Sequence, residues 1–156
     1  MLEVYNKGNT FTLENSDKKK VELDIVTGNV MMDSFDVTHP GEYEKSGMLL
    51  EVKEYGDNLF YKFLIDGKHV LIVQSDSFEM KEEILSFFGD VDVLIITGSK
   101  EAGKVFENIE AKLVVPYGEG KDVFLNTLGQ HSEAVANFKI KSDLPLDSTV
   151  FVNLEA

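Results

Sequence analysis

The chain of 156 residues is 43% apolar and 28% charged, which suits one globular domain with a substantial core and is not typical of a disordered or fibrous protein. Its net charge of −13 makes nucleic acid and membranes unsuitable partners, and the absence of cysteine excludes disulfides, thiolate metal sites and cysteine nucleophiles. Because no apolar run approaches the roughly 20 residues that span a bilayer and no secretory signal is visible, we expect a cytoplasmic protein.

The first half of the chain has the alternating pattern of antiparallel strands separated by short turns. We expect strands at residues 2–5, 10–14, 21–26, 30–32, 48–55, 59–65 and 68–73. Residues 33–47 carry no such alternation and are predicted to be a looser stretch. Asp66-Gly67 gives the strongest hairpin signal of the sequence.

The hydrophobic period changes from two to 3.6 at Ser75, where helices begin to alternate with strands. Asp76 and Glu79 have the spacing of a capping box, which predicts a helix that begins there and ends at Gly89. We expect further helices at 101–108 and 121–128, strands at 93–96 and 112–116, and a terminal β ribbon from 138–141 and 149–154. The pattern predicts a single α/β domain that spans residues 1–156.

His39 is the first candidate for a functional side chain, because acidic residues surround it. Together with Asp36, Glu42 and Glu44 it could form a cation site of oxygen and nitrogen ligands. The alternative is a turn, because a residue before proline is held extended and Pro40 follows directly. We favour the turn.

Three polar or glycine-rich segments follow strands of the second half, at 75–77, 97–100 and 117–120. This is the sheet edge at which α/β proteins usually bind ligands. Asp76 could ligate a metal or act as a base there, although a helix cap already explains it, and backbone N–H groups near 75–77 could hold an anion. Segment 97–100 lacks the P-loop pattern and favours a simple helix start. His69 and His131 are predicted to be a surface strand residue and a helix-end residue.

Five segments occur in an order that resembles one known superfamily. They are 40–47 (PGEYEKSG), 63–67 (FLIDG), 88–96 (FGDVDVLII), 111–116 (AKLVVP) and 142–145 (SDLP). From about residue 36 to the end the chain resembles the metallo-β-lactamase superfamily, most closely its Zn-dependent hydrolase branch of the ascorbate-6-phosphate lactonase type, and residues 1–26 resemble its opening strands less distinctively. The resemblance implies an αββα sandwich that is truncated in its first half.

The zinc ligands of that family have no counterparts in this sequence. Active members carry a His-x-His-x-Asp-His loop where this chain has 26–30 (VTGNV). Their His-Leu-Gly-Asp segment matches 72–75 (IVQS), with Asp76 one position late, and their Pro-Met-His segment matches 116–118 (PYG). Catalytic zinc needs at least three protein donors, so the resemblance implies a degenerate relative that holds no metal cofactor.

We therefore expect a non-catalytic domain that binds a protein partner or associates with itself, with a two-fold homo-oligomer as the default geometry. Two other functions stay open. His39, Asp76 and Glu119 could form a rebuilt site for one divalent ion in a phosphoester or lactone hydrolase. Residues 75–77 could instead bind a small anionic molecule without a reaction.

Overall fold

The computed structural model describes residues 2–141, 144 and 147–155. Its strands are β1 (Leu2–Lys7), β2 (Thr10–Glu14), β3 (Lys20–Asp24), β4 (Val30–Met32), β5 (Phe35–Val37), β6 (Gly41–Lys45), β7 (Met48–Tyr55), β8 (Asn58–Ile65), β9 (Lys68–Val73), β10 (Val91–Thr97), β11 (Ala111–Tyr117), β12 (Asn137–Ile140) and β13 (Val150–Phe151). Its helices are α1 (Glu82–Phe88), α2 (Ala102–Glu107) and α3 (Lys121–Thr127).

The strands form two sheets. The first sheet has the order β12-β1-β2-β3-β4-β5 and is antiparallel throughout. The second sheet has the order β13-β11-β10-β9-β8-β7-β6, in which β6 to β9 form an antiparallel meander and β9, β10, β11 and β13 run parallel. The sharp Asp66-Gly67 turn joins β8 to β9, as predicted.

The two sheets pack face to face, and the helices cover the other face of the second sheet. Alternate residues of both sheets, such as Leu13, Leu23 and Phe63, fill the core between them. A second core lies under the helices and includes Leu94 and Phe88. Because right-handed crossovers between parallel strands place their helices on one face, α1 and α2 lie on the same side of the sheet.

The predicted α/β fold with two sheets is confirmed, and its helices are confined to one side. Within residues 2–141, 144 and 147–155, no helix covers the outer face of the first sheet, so the layers are sheet, sheet and helix. That face instead carries polar residues such as Glu3, Glu14 and Glu22, each half-buried. The helical layer that an αββα sandwich would place there is absent from the described residues.

The predicted helix start at Asp76 is wrong. Helix α1 begins only at Glu82, and its N-cap residue Lys81 makes no capping hydrogen bond through its side chain. The aromatic ring of Phe78 packs edge-on against Phe60 at 4.9 Å, so segment 75–81 is used to close the helix-side core. The packing of this segment into the core therefore determines its conformation, although the spacing of Asp76 and Glu79 resembles that of a capping box. The predicted helix end at Gly89 is confirmed, with its N–H donating to the Leu85 carbonyl.

Two further expectations for the strands are wrong. The terminal segments form no ribbon with each other, because β12 pairs with β1 in the first sheet and β13 pairs with β11 in the second. The stretch 33–47 is not loose but contains β5 and β6. In β6 only Tyr43 is apolar, so the sequence of this strand does not show the alternation of apolar and polar residues by which strands are predicted. Of the family-like segment 142–145, only Leu144 lies within the described residues, and it packs against the inter-sheet core.

Candidate functional site

The carboxyl ends of β9, β10 and β11 meet at one edge of the second sheet, and the turn between β3 and β4 meets them there. We call this region the strand-end edge and define it as residues 25–29, 74–77, 97–100 and 117–121. It contains the positions that the resemblance matches to the family's zinc ligands. The side chains and backbone at this edge bond mainly to one another.

Gln74 connects the two sheets at this edge. Its side-chain Nε2 donates to the carbonyl oxygen of Gly28 at 2.9 Å, across 46 positions of sequence. Gly28 has a φ of +80°, and a Cβ atom there would lie 2.8 Å from Gln74 Oε1. The backbone conformation therefore favours glycine, and a side chain at this position would displace the end of Gln74. The bond joins the segment that the resemblance matches to His-Leu-Gly-Asp to the turn that it matches to the histidine-rich loop.

Asp76 is occupied by a contact within the chain. Its Oδ2 accepts a hydrogen bond from Ser99 Oγ at 2.5 Å, and Ser99 Oγ in turn accepts the N–H of Ala102 at 3.0 Å. The serine hydroxyl thus caps the first turn of α2, as the simple helix start predicted for segment 97–100 requires. Since no helix begins at 75–77, those residues do not present the helix N-terminal N–H groups that the predicted anion site needs.

The loops after β10 and β11 are in backbone contact. The N–H of Gly98 donates to the carbonyl oxygen of Tyr117 at 2.7 Å. A Cβ atom on Gly98 would lie 2.4 Å from Lys121 N, and one on Gly120 would lie 2.1 Å from Gly98 O. These distances leave no room for a side chain at either glycine, so the two strand ends are closed against each other.

Two polar side chains near this contact are also held in place. Lys121 Nζ donates to Asn153 Oδ1 at 2.8 Å and to the Leu154 carbonyl. The Tyr117 ring is buried between the sheets, and that burial raises the pKa of its phenol well above the usual value, with a smaller opposing effect from the Thr97 hydroxyl. Tyr117 therefore stays protonated at neutral pH, and Lys121 serves as a tether.

The three residues of the rebuilt-site hypothesis are not brought together. His39 is exposed, with Nδ1 2.7 Å from Thr38 Oγ1, and its carbonyl oxygen accepts the Tyr43 hydroxyl in a local turn. It precedes β6, which lies three strand spacings, or ~14 Å, from β9, the strand that leads to Asp76. Glu119 is exposed on the loop after β11.

The donor atoms at the strand-end edge do not fit a zinc centre. Two carboxylates lie beside the matched ligand positions: Asp76, which is already bonded to Ser99, and Glu119, which is exposed on the loop after β11. Throughout the part of the chain that the structure describes, no group of three His, Cys, Asp or Glu side chains could hold a metal ion. A catalytic zinc site needs three such donors and an open position.

The remaining histidines lie away from this edge. His131 is exposed in the loop after α3. His69 is half-buried at the start of β9 rather than exposed as predicted, and its backbone N–H donates to Asp92 Oδ2 at 2.8 Å.

A large open cavity lies at the opposite edge, where the parallel strands begin. Its volume is about 930 Å³, and its lining includes His69, Asp92, Glu110 and Lys112. Lys112 Nζ lies 3.3 Å from Asp92 Oδ1. Sequence reasoning missed this cavity because it searched only the carboxyl ends of the strands. The signal available was the acidic residues that directly precede β10 and β11.

Comparison with known proteins identifies the fold. No family model and no curated protein sequence matches the chain. A crystal structure from Thermotoga maritima, of a candidate Zn-dependent hydrolase of the metallo-β-lactamase superfamily, matches 99% of this chain and 100% of its own with a TM-score of 0.74. The chain has a metallo-β-lactamase-like fold. Sequence identity to that structure is 17%, so the likeness establishes the fold and leaves the activity open. Of the described helices, none has both the length and the apolar character needed to cross a membrane.

Proposed function

We propose that this chain is a non-catalytic, metal-free domain with a metallo-β-lactamase-like fold, and that it acts by binding a protein. The observation that carries the proposal is the set of internal bonds at the strand-end edge. Gln74 bonds to Gly28, Asp76 bonds to Ser99, and the backbones of Gly98 and Gly120 are in contact. Groups that bond to one another in this way are not arranged around a metal ion or a substrate.

Loss of the zinc chemistry together with retention of the fold supports a binding role. A hydrolase of this kind uses its metal to activate water and to polarise the scissile bond, which requires ligands on several strand ends. The described residues retain two complete cores and well-formed hairpins but gather no such ligands. The finer likeness to the ascorbate-6-phosphate lactonase branch and a cytoplasmic location are parts of the same proposal.

Charge favours a different protein over a second copy as the partner. Within the described residues β6 pairs only with β7, so its other edge is free to accept a strand. Glu42, Glu44 and Lys45 are exposed on that strand, and charged side chains on an edge disfavour pairing between sheets. Two chains of net charge −13 also repel each other. A homo-oligomer is the alternative, and the mass in solution by light scattering distinguishes the two.

A hydrolysis assay tests the absence of catalysis. Tag-free protein supplied with Zn²⁺ or Mn²⁺ is incubated with a chromogenic phosphodiester and with a lactone, beside the variants His39→Ala and Asp76→Ala. We expect the same low rate for all three proteins, equal to that of the metal alone. Turnover by the parent chain that either variant abolishes would establish the rebuilt hydrolase site and overturn the proposal.

A further inference from the structure

The helical layer leaves part of the second sheet uncovered. Lys62 Nζ, on β8, donates to the Phe87 carbonyl at 3.4 Å and so marks where α1 ends above the sheet. Leu49 and Leu64 lie beyond this point. Their sequence neighbours point into the inter-sheet core, so both leucines point to the helix-bearing face.

These uncovered residues form a continuous row across the strands. Leu49 pairs with Leu64, and Leu64 pairs with His69. In the parallel register, Asp92 is the residue next to His69 on β10, and its carboxylate accepts the His69 N–H. Cross-strand neighbours on one face are in direct contact range. The row therefore connects the bare part of the sheet to the start of the parallel strands.

Two cavities follow this row and share His69 in their linings. One has a volume of about 300 Å³ and is lined by Leu49 and Leu64 among others. The other is the cavity of about 930 Å³, whose lining includes Leu85 on α1. We call the two together the trough and define it by Leu49, Leu64, His69, Leu85 and Asp92.

The trough combines an apolar floor with an acidic lining. The side chains of Leu49 and Leu85 are 44% and 38% exposed, and Leu64 is half-buried. Seven carboxylates and two lysines line the two cavities. Both lysines are already engaged, Lys62 with a helix carbonyl and Lys112 with Asp92. The unbalanced charge of the lining is negative.

We propose that the trough binds a basic amphipathic segment of another protein. This inference rests on the proposed function, for which it names the surface and the partner chemistry. Leucine-sized side chains of the segment would cover Leu49, Leu64 and Leu85, and its Lys or Arg residues would face the carboxylates. A polyamine would satisfy the charge but leave the leucines exposed. A second acidic copy would add like charge to the lining.

Titration of the ¹⁵N-labelled full chain with a synthetic peptide tests this inference. The probe is a helix-forming peptide of about 14 residues in which leucines follow the i, i+3, i+4, i+7 pattern and all other residues are lysine. A matched peptide with glutamate in place of lysine, and spermine alone, serve as comparison ligands. We expect saturable shifts at residues 49, 64, 69 and 85 with the lysine peptide, and none with the glutamate peptide.

Two double variants distinguish the contribution of the apolar floor to the peptide affinity from that of the carboxylates. Leu49→Thr with Leu64→Thr keeps β-compatible side chains and should weaken the lysine peptide at least about tenfold, because the apolar contact is lost. Val26→Thr removes an exposed valine in the β3–β4 turn and should leave the affinity unchanged. Glu42→Gln with Glu51→Gln, which leaves the floor intact, should weaken binding and reduce its salt dependence.

Three results would overturn the inference. They are shifts that map elsewhere on the chain, unchanged affinity in both double variants, and spermine binding as tight as that of the peptide. Turnover and metal content are measured on the same sample, so that a failure of the trough to bind can be distinguished from a failure of the proposed non-catalytic function. A metal-free, inactive chain whose trough fails to bind would refute only the trough as the binding surface.

Discussion

The hydrogen bond between Asp76 and Ser99 contributes to the free energy of unfolding, and a double-mutant cycle can measure that contribution. A hydrogen bond to a charged acceptor contributes about 1.5–3 kcal/mol when buried, so the half-buried pair here should contribute ~1 kcal/mol. Ser99→Ala also removes the acceptor for the Ala102 N–H, which adds a capping loss of ~1 kcal/mol. We therefore expect losses of ~1 kcal/mol for Asp76→Ala and ~2 kcal/mol for both Ser99→Ala and the double variant, a coupling of ~1 kcal/mol.

Urea denaturation at neutral pH, followed by far-UV circular dichroism, measures the free energy of unfolding of each variant. Glu79→Ala is the matched control, because Glu79 is exposed in the same segment and would matter only if it formed a capping box with Asp76. We expect this control to lie within about 0.5 kcal/mol of the parent. A coupling near zero would refute the reasoning, because it would leave the Asp76 carboxylate free for another ligand.

Three further predictions concern packing and charge. Gly98→Ala should lower the free energy of unfolding, measured by urea denaturation, by several kcal/mol, because its Cβ atom would lie 2.4 Å from the Lys121 backbone. Gly103→Ala in α2 should raise the free energy of unfolding by about 0.5–1 kcal/mol, because its Cβ atom would make only an ordinary contact at 3.9 Å. Burial raises the folded-state pKa of Tyr117, so stability should fall as the pH rises above about 10, and Tyr117→Phe should reduce that slope. The backbone N–H groups of Thr27 and Val26 lower the pKa of Asp24, so an NMR titration should find this pKa below the usual range. The stabilisation that the ionised carboxylate provides should be lost as the pH falls below about 4, and the variant Asp24→Asn should not show this loss.

Strands with strong alternation could be predicted from the sequence, and those set by long-range pairing could not. The bounds of β7 and β9 agree with the expected 48–55 and 68–73, because alternating apolar residues and sharp turns define them locally. Strand β6 has one apolar residue, and its pairing with β7 makes it a strand. The start of α1 could not be predicted, because a three-residue spacing carries no information about where Phe78 packs.

The contacts of the candidate site could not be predicted from the sequence. The resemblance indicates which residues match the family's ligand positions, but it does not indicate what those residues contact. The Gln74–Gly28 bond joins residues 46 positions apart, and the Gly98–Gly120 contact depends on how two loops meet. Likewise, the trough depends on where α1 ends above β8, which the sequence does not indicate.

Metal content is the measurement that tests the proposed metal-free state most directly. Tag-free protein purified with and without added zinc and manganese would be analysed by inductively coupled plasma mass spectrometry, with Asp76→Ala purified in parallel. We predict less than ~0.1 equivalents of either metal in both proteins, because the described residues gather no three ligands around one point. About one equivalent or more in the parent chain, lost in Asp76→Ala, would contradict the assignment of this fold to a metal-free binding role.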